Sequence, residues 1–421
     1  MLPDWRIGTG RVDDVRIAIL GGGGVGVCAA LEIASRGHSV DIYEQESEPI
    51  MRASRVNEGK IHQGFLYAND SSKRTVRLLA EGALNFASCL SRWLDIATEP
   101  LIPSTPFVYA VHANTMVDIE TVRRHFADCC SIISELQESS GLLYLGQKEP
   151  ASYRELSRHE IESILDPVHF AGAFITSELA IDPRPVATRL RAAILDAPRV
   201  TFIGGSRVER VRRRKSGSFV VTFDNDGPQE AGPYDQVVNA LWEGRLAVDR
   251  SMGIEPRQSW IFRHKFGSRV SIPLQPHDLP SVTMVLGPFG DIVNFGANGL
   301  YLSWYPFGMV DTNFDIRPPD RWLQIDEPAR LDVFHRSLEK WKSFCPKLRE
   351  LDYPRDRIDP SSGVIFAWGG TDIDDPNSRL HSRYEIGIHS VDGYHSVNSG
   401  KYTMVPYLGF KTAERVLGTM Q

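Results

Sequence analysis

The first strongly apolar run, Arg16-Ile-Ala-Ile-Leu20, is short, β-branched and ends in glycines, a pattern that predicts a buried parallel strand. Val27 to Arg36 is helical in composition and is stopped by Gly37, and Ser39-Val-Asp-Ile-Tyr-Glu44 predicts a second strand. Val76, Leu79, Ala80, Ala83, Phe86, Ala87, Leu90 and Trp93 then recur at helical spacing, with Ser72 expected to cap the start. A further helix is expected to begin at Asp182-Pro-Arg-Pro. Strands are expected at Val200 to Ile203, Ser206 to Arg213, Ser218 to Phe223 and Gln236 to Leu241, with a turn at Asp224-Asn-Asp-Gly227.

From about residue 243 to 345 the pattern changes. Trp260 to Val270, Val282 to Leu286, Ile292 to Phe295 and Leu300 to Trp304 read as strands separated by Gly287-Pro-Phe-Gly290 and by an Asn298-Gly299 turn. Ala329 to Phe344 reads as a helix. These elements predict an antiparallel sheet with helices, and there is no internal repeat or low-complexity linker.

Between the first two strands lies Gly21-Gly-Gly-Gly-Val-Gly26, which satisfies G-x-G-x-x-G with Gly21, Gly23 and Gly26. The first glycine makes the tight turn, the second lets backbone approach a pyrophosphate, and the third lets helix and strand pack closely. N–H groups of Gly24 and Val25 open the helix and face the phosphates. Glu44 lies 18 residues beyond Gly26, where a carboxylate accepts the ribose hydroxyls and repels a 2′-phosphate, favouring FAD or NAD over NADP.

Composition narrows the class. With 47 basic and 53 acidic residues the net charge is −6, without the excess that a nucleic-acid binder needs. Five cysteines, none in a C-x-x-C pair, imply neither a disulfide framework nor structural zinc, and the histidines show no ligand spacing, so no metal is expected. Met1 to Asp14 has no apolar signal region and no run is long enough to span a membrane. The expectation is a cytoplasmic protein, with docking on a membrane surface left open.

The segment after Glu44 points to a family. Met51-Arg-Ala-Ser-Arg-Val-Asn-Glu-Gly-Lys-Ile-His-Gln-Gly-Phe-Leu-Tyr67 resembles the stretch after the second strand in the D-amino-acid oxidase superfamily, closest to the N-x-G-x-I-H-x-G-x-x-Y pattern of its glycerol-3-phosphate and 2-hydroxyglutarate dehydrogenase branch. Near the C-terminus, Ser382-Arg383 and Gly393-Tyr-His-Ser-Val-Asn-Ser-Gly-Lys-Tyr-Thr403 resemble the S-R…G-G-K-x-T closure of glycerol-3-phosphate dehydrogenases, with Ser399 replacing a glycine. The similar segments cover about half the chain.

The resemblance implies FAD, held without a covalent bond since no cysteine or histidine signature for attachment is recognisable. It places Ala53, Ser54 and Arg55 along the pyrophosphate and ribityl chain, and Asn57, Gly59, Ile61 and His62 beside the isoalloxazine. Val208 and Val211 would lie near the adenine. Val237 to Leu241, including Ala240, would stand where the family has an A-G pair, a pattern from which Leu241 and Trp242 depart. Gly400, Lys401, Tyr402 and Thr403 would close over the flavin, where a helix start and a cation suit the negative charge of the reduced ring.

The implied fold is α/β, α+β overall, with a Rossmann-like FAD-binding domain (residues 14–95, 150–242 and 355–421) interleaved with an antiparallel-sheet substrate domain (96–149 and 243–354). The implied reaction takes hydride from a CH–OH or CH–NH carbon of a small polar, anionic molecule, such as a 2-hydroxy acid, polyol phosphate or amino acid. Oxygen or a quinone is the expected electron acceptor. His62 is either the base for a substrate hydroxyl or a histidine that packs beside the flavin. Arg383 is a candidate for pairing a substrate anion and Lys401 for stabilising reduced flavin. The run Arg263-His-Lys265 reads as a solvated face or an attractor of an acidic substrate, the aromatic set Trp304, Tyr305 and Phe307 as core or a pocket wall, and Arg210 to Lys215 as a solvated hairpin tip or a contact for acidic lipid or a partner. A flavin monooxygenase and a non-catalytic FAD-bound protein are the competing functions; the lack of a second nucleotide fingerprint counts against the first.

Overall fold

The computed structural model describes residues 15–420; the segment Met1 to Asp14, its lack of a signal region and the domain start at residue 14 fall outside it. Strand β1 (Arg16–Leu20) is buried from Ile17 onward and pairs in parallel with β2 (Ser39–Tyr43) on one side and with Gln236–Asn239 on the other. Val200–Ile203 extends the sheet beyond β2, and Tyr394–Asn398 extends it beyond Gln236–Asn239, both in parallel. Gly387–Val391 adds an antiparallel edge, giving six strands. Helix α1 (Gly24–Ser35) is buried along its first ten residues, because the sheet, the helix Pro183–Leu195 and the last helix Val405–Gly418 all pack on it. A helix enclosed in this way needs apolar residues all round, which Val25-Gly-Val-Cys-Ala-Ala-Leu31 supplies.

A second sheet has nine strands, led by Trp260–Val270, which pairs antiparallel with Leu300–Trp304, Met309–Asn313 and Ile358–Trp368. Gly290–Asn294, Ser281–Met284, Phe107–His112, Phe170–Thr176 and Tyr153–Glu155 complete it. All of its pairs are antiparallel except Phe107–His112 with Ser281–Met284. The helices Ile119–Ser140 and Glu327–Phe344 accompany it. A three-stranded antiparallel sheet, Arg207–Arg213, Phe219–Asp224 and Pro228–Tyr234, carries the expected turn at Asp224–Gly227, where Asp224 accepts a hydrogen bond from Gly227 N–H at 2.9 Å.

Three placements differ from the sequence reading. Strands Tyr153–Glu155, Phe170–Thr176 and Ile358–Trp368, which the sequence division gave to the nucleotide unit, hydrogen-bond into the nine-stranded sheet. Helix α2 (Arg74–Leu90) is not capped by Ser72 in the expected way. Lys73 holds the cap position at φ 58°, and Asp70 accepts from both Thr75 N–H and Thr75 Oγ1. Asp70 wins because a carboxylate is the stronger acceptor and sits four residues before the helix. Arg263 and His264, read as solvated, are 3% and 2% exposed, because Tyr305 and Asp372 hold the Arg263 guanidinium and Trp322 stacks on the His264 ring at 5.1 Å between centroids.

The two large sheets are tied by a buried ion pair. Arg269 Nη2 donates to Asp182 Oδ2 at 2.6 Å and to Asn298 O at 2.9 Å, while Asp182 also accepts from Arg184 N–H at the start of helix Pro183–Leu195. A second tie is the two-residue strand β3 (Lys60–Ile61), which pairs antiparallel with Leu179–Ala180.

Candidate active site

The turn after β1 is held by Gly21, whose φ of 101° is left-handed and whose Cβ, if present, would lie 2.7 Å from Ala240 O. A Cβ at Gly26 would lie 2.0 Å from Gly21 O, so the helix reaches the strand only without a side chain there. Glu44 turns back onto this turn, accepting from Gly22 N–H at 2.7 Å and from Glu46 N–H at 3.0 Å. Burial nevertheless pushes its carboxyl above the usual range. Ser54 Oγ accepts from Gly24 N–H at 3.0 Å, so this hydroxyl sits at the helix start.

A cavity of about 370 Å³ runs from this turn to the nine-stranded sheet. Gly21, Gly23, Gly24, Val25, Glu44, Ala53 and Ser54 line it, as do Asn57, Val208 and Ala240. His62, Arg383, Gly400, Lys401 and Tyr402 line it as well. Gly26, Arg55, Gly59, Ile61 and Thr403 do not. Gly26 is a packing residue, and Arg55 N–H bonds to Arg52 O at 2.8 Å within its own turn. Gly59 passes under Ile181, and Ile61 is fully buried with its carbonyl bonded to Tyr144 Oη at 2.8 Å. Thr403 works behind the wall: its Oγ1 accepts from His62 N–H at 2.9 Å and donates to Lys60 O at 3.0 Å, joining the C-terminal closure to β3.

His62 is 1% exposed, and neither ring nitrogen has a hydrogen-bond partner. Nδ1 lies 3.7 Å from Glu178 Oε1. Burial first, then the charges of Lys401, Lys60 and Arg383, hold the imidazole far below its ordinary value, so it is neutral at pH 7. Arg263, Lys265, Arg383 and Lys401 are among the cationic side chains that line the same cavity. Burial lowers Lys401 to about 8 against the pull of Glu58, with Arg383 and Lys60 adding to the fall. Burial and the nearby Arg263 lower Arg383 to about 10, and burial lowers Lys265. Arg263 Nη1 donates to Tyr305 Oη at 2.9 Å and to Asp372 Oδ1 at 3.3 Å, and Tyr305 Oη donates to the same carboxylate oxygen at 2.6 Å.

Lys60, Asp291, Tyr305, Lys265 and Glu178 were not among the residues the sequence singled out for the site, although Lys265 and Tyr305 stood in the runs read as solvated face and core. Lys60 Nζ donates to Asp291 Oδ1 at 2.9 Å and Thr283 Oγ1 at 2.5 Å. The opposite charges of Asp291, Glu178 and Glu58 raise Lys60 against its burial. Of the aromatic set, Tyr305 lines the cavity, whereas Trp304 packs on Trp341 and Phe344 in the core. Trp242, at the departure from the A-G pair, takes φ 55° and donates its Nε1–H to Val364 O at 2.7 Å.

A family model described as DAO, FAD dependent oxidoreductase, matches residues 16–415. The chain belongs to this family. Solved structures similar to this DAO-family chain include glycine oxidase from Geobacillus kaustophilus (16% identity, 96% of this chain and 95% of that chain, TM-score 0.64). Others are L-proline dehydrogenase from P. horikoshii (17%, 96% and 94%, 0.63) and L-alpha-glycerophosphate oxidase from Mycoplasma pneumoniae with FAD bound (15%, 96% and 94%, 0.62). The DAO-family fold is thus shared end to end at low identity, and the protein is a FAD-dependent oxidoreductase of mixed α/β architecture.

The residues present fit that cofactor. The side-chain-free turn at Gly21 and Gly23, the carboxylate of Glu44, and the backbone of Ala53 and Ser54 form one continuous wall leading to Lys401. Such a wall offers N–H groups to phosphates, an acceptor to a ribose and a cation at the far end. Among the described residues no group of three or more metal-ligating side chains converges, and no helix is long and apolar enough to cross a membrane.

Proposed function

We propose that this DAO-family enzyme oxidises the CH–OH carbon of a small anionic molecule, a 2-hydroxy acid or a polyol phosphate. The carrying observation is that Arg263, Lys265, Arg383 and Lys401 converge on the cavity that also holds a neutral, unpaired His62. FAD, when bound, supplies the two-electron acceptor for hydride from the substrate carbon. The protein's own residues supply the rest.

The cations bind and orient the anionic group; Arg383 and Lys401 are lowered first by burial and then by neighbouring cations, and an entering anion offsets both. An alcohol must lose its hydroxyl proton as the C–H bond breaks, and His62 is in the form that accepts it. An amine binds already deprotonated and has no use for such a base, which favours the alcohol. The substrate domain of this reading is the nine-stranded sheet and its helices, and the nucleotide domain is the six-stranded sheet with α1 and the last helix. Oxygen or a quinone is the electron acceptor that fits a chain with one nucleotide fingerprint, and oxygen uptake compared with quinone reduction distinguishes them.

The test is anaerobic bleaching of the oxidised flavin band by 2-hydroxy acids, polyol phosphates and amino acids in turn. Bleaching by one of the first two classes is the expected result; bleaching by amino acids alone overturns the alcohol reading. Arg383→Leu is expected to raise KM by about 10- to 150-fold with a smaller effect on kcat, since a charged hydrogen bond contributes about 1.5–3 kcal/mol. An unchanged KM removes Arg383 from the anion site.

A further inference from the structure

We propose that Glu178 is the positioning residue of the reaction, holding His62 in the tautomer that presents Nε2 to the substrate and balancing the proton His62 receives. The inference rests on the reading of His62 as the base.

The placement comes from β-sheet register. In the short ladder Lys60 lies opposite Ala180 and Ile61 opposite Leu179, so one step further along the same register sets Glu178 beside His62. Glu178 is fully buried and fixed from three sides. Gln63 N–H donates to its Oε2 at 2.6 Å, the hydroxyl of Tyr109 donates to its Oε1, and Lys60 acts on it through its charge. Burial pushes its carboxyl up, and those three groups oppose that. Oε1 faces His62 Nδ1 at 3.7 Å, and neither ring nitrogen has another hydrogen-bond partner. With Nδ1–H directed at this carboxylate, Nε2 carries the lone pair.

The other groups around the imidazole cannot do this. Lys60 on its own strand, Lys401 and Arg383 from the C-terminal segment all oppose its protonation, and the Tyr67 ring meets it edge-on at 5.8 Å between centroids. A base surrounded by three cations would be too weak to accept a proton without a counter-charge on its far side. In the proton transfer the hydroxyl O–H bond breaks, Nε2–H forms, and the imidazolium shares its Nδ1–H with Glu178; the hydride accounts for the electron pair.

The experiment compares holoenzyme of wild type, Glu178→Gln, Glu178→Asp and His62→Ala. Glu178→Gln keeps the size and removes the charge; its amide oxygen still accepts from Gln63 N–H, while its NH2 replaces the oxygen that accepted from Tyr109 and can only donate to that hydroxyl. Its kcat is expected to fall at least tenfold with KM within twofold. The acid limb of the kcat profile should move down by at least about one pH unit, since loss of the anion weakens the base. Histidine-selective 15N NMR, with His62 assigned by its absence from His62→Ala, should show the Nδ1–H tautomer in wild type and its loss in Glu178→Gln. Glu178→Asp, which keeps the charge, should restore the limb toward its wild-type position; this readout also serves if Glu178→Gln does not fold. An unmoved limb and unchanged tautomer in the Gln variant overturn the proposal while leaving His62 as base. Wild-type turnover in His62→Ala overturns both readings.

Discussion

His62→Ala is expected to reduce the rate of flavin reduction by the true substrate by about 10²–10⁴-fold, the range over which a positioned general base contributes. The FAD spectrum and cofactor content should remain, because His62 reaches the fold through its backbone N–H to Thr403, which alanine retains. Stopped-flow reduction under anaerobic conditions separates this step from reoxidation. The loss should be largest just above the acid limb of the wild-type profile, where His62 is a free base and the hydroxyl proton has no alternative acceptor, and should narrow as hydroxide rises. Equal loss at every pH would mean that the imidazole orients the substrate without taking the proton.

The second large effect concerns stability. Asp291→Ala removes the partner of Lys60, an ammonium whose side chain is 1% exposed and which also lies 4.4 Å from the centre of the Phe107 ring. An uncompensated buried charge costs about 3–5 kcal/mol, and urea unfolding should register a loss of that order. Replacing both partners, Lys60→Met with Asp291→Leu, should recover most of it, because neither charge is then left alone. The same pair sets an acid limit. Although burial raises the Asp291 carboxyl, Lys60 and Lys265 bring it down to about 2, below its ordinary 3.8. Its contribution is therefore complete above about pH 4 and is lost as pH falls toward 2. A double variant whose acid midpoint equals that of wild type would show that the pair plays no part.

The parts of this molecule that were legible in sequence are those whose chemistry is local. Strand, glycine turn, helix and acidic strand end occupy Arg16 to Glu44 without interruption, and each residue type there answers to a contact within a few residues or to an absent side chain. Strand Trp260–Val270 was equally legible as a strand, but its charges were misread. Arg263, His264 and Lys265 read as a short solvated charge run, and only Tyr305, Asp372 and Trp322, which meet their side chains from distant parts of the chain, show that they are covered. Glu178 and Asp291 carried no signal, since Gln63 and Lys60, which tie them to the site, stand more than a hundred residues away and meet them through a two-residue ladder and a sheet crossing. Ile358–Trp368 opens on Ile-Asp-Pro-Ser-Ser, which has no strand pattern. Its second half, Val364-Ile-Phe-Ala-Trp368, has strand propensity of its own, but the first half is held only by pairing with its long neighbour.

The six-stranded sheet draws its members from residues 16–43, 200–203, 236–239 and 387–398, and the cavity wall is finished by Gly400 and Lys401. During synthesis, then, the first glycine turn leaves the ribosome hundreds of residues before the strand and helix that enclose it. Until Val405–Gly418 has emerged, the α1 surface that buries against it stays uncovered and the cavity wall that Gly400 and Lys401 complete is unfinished.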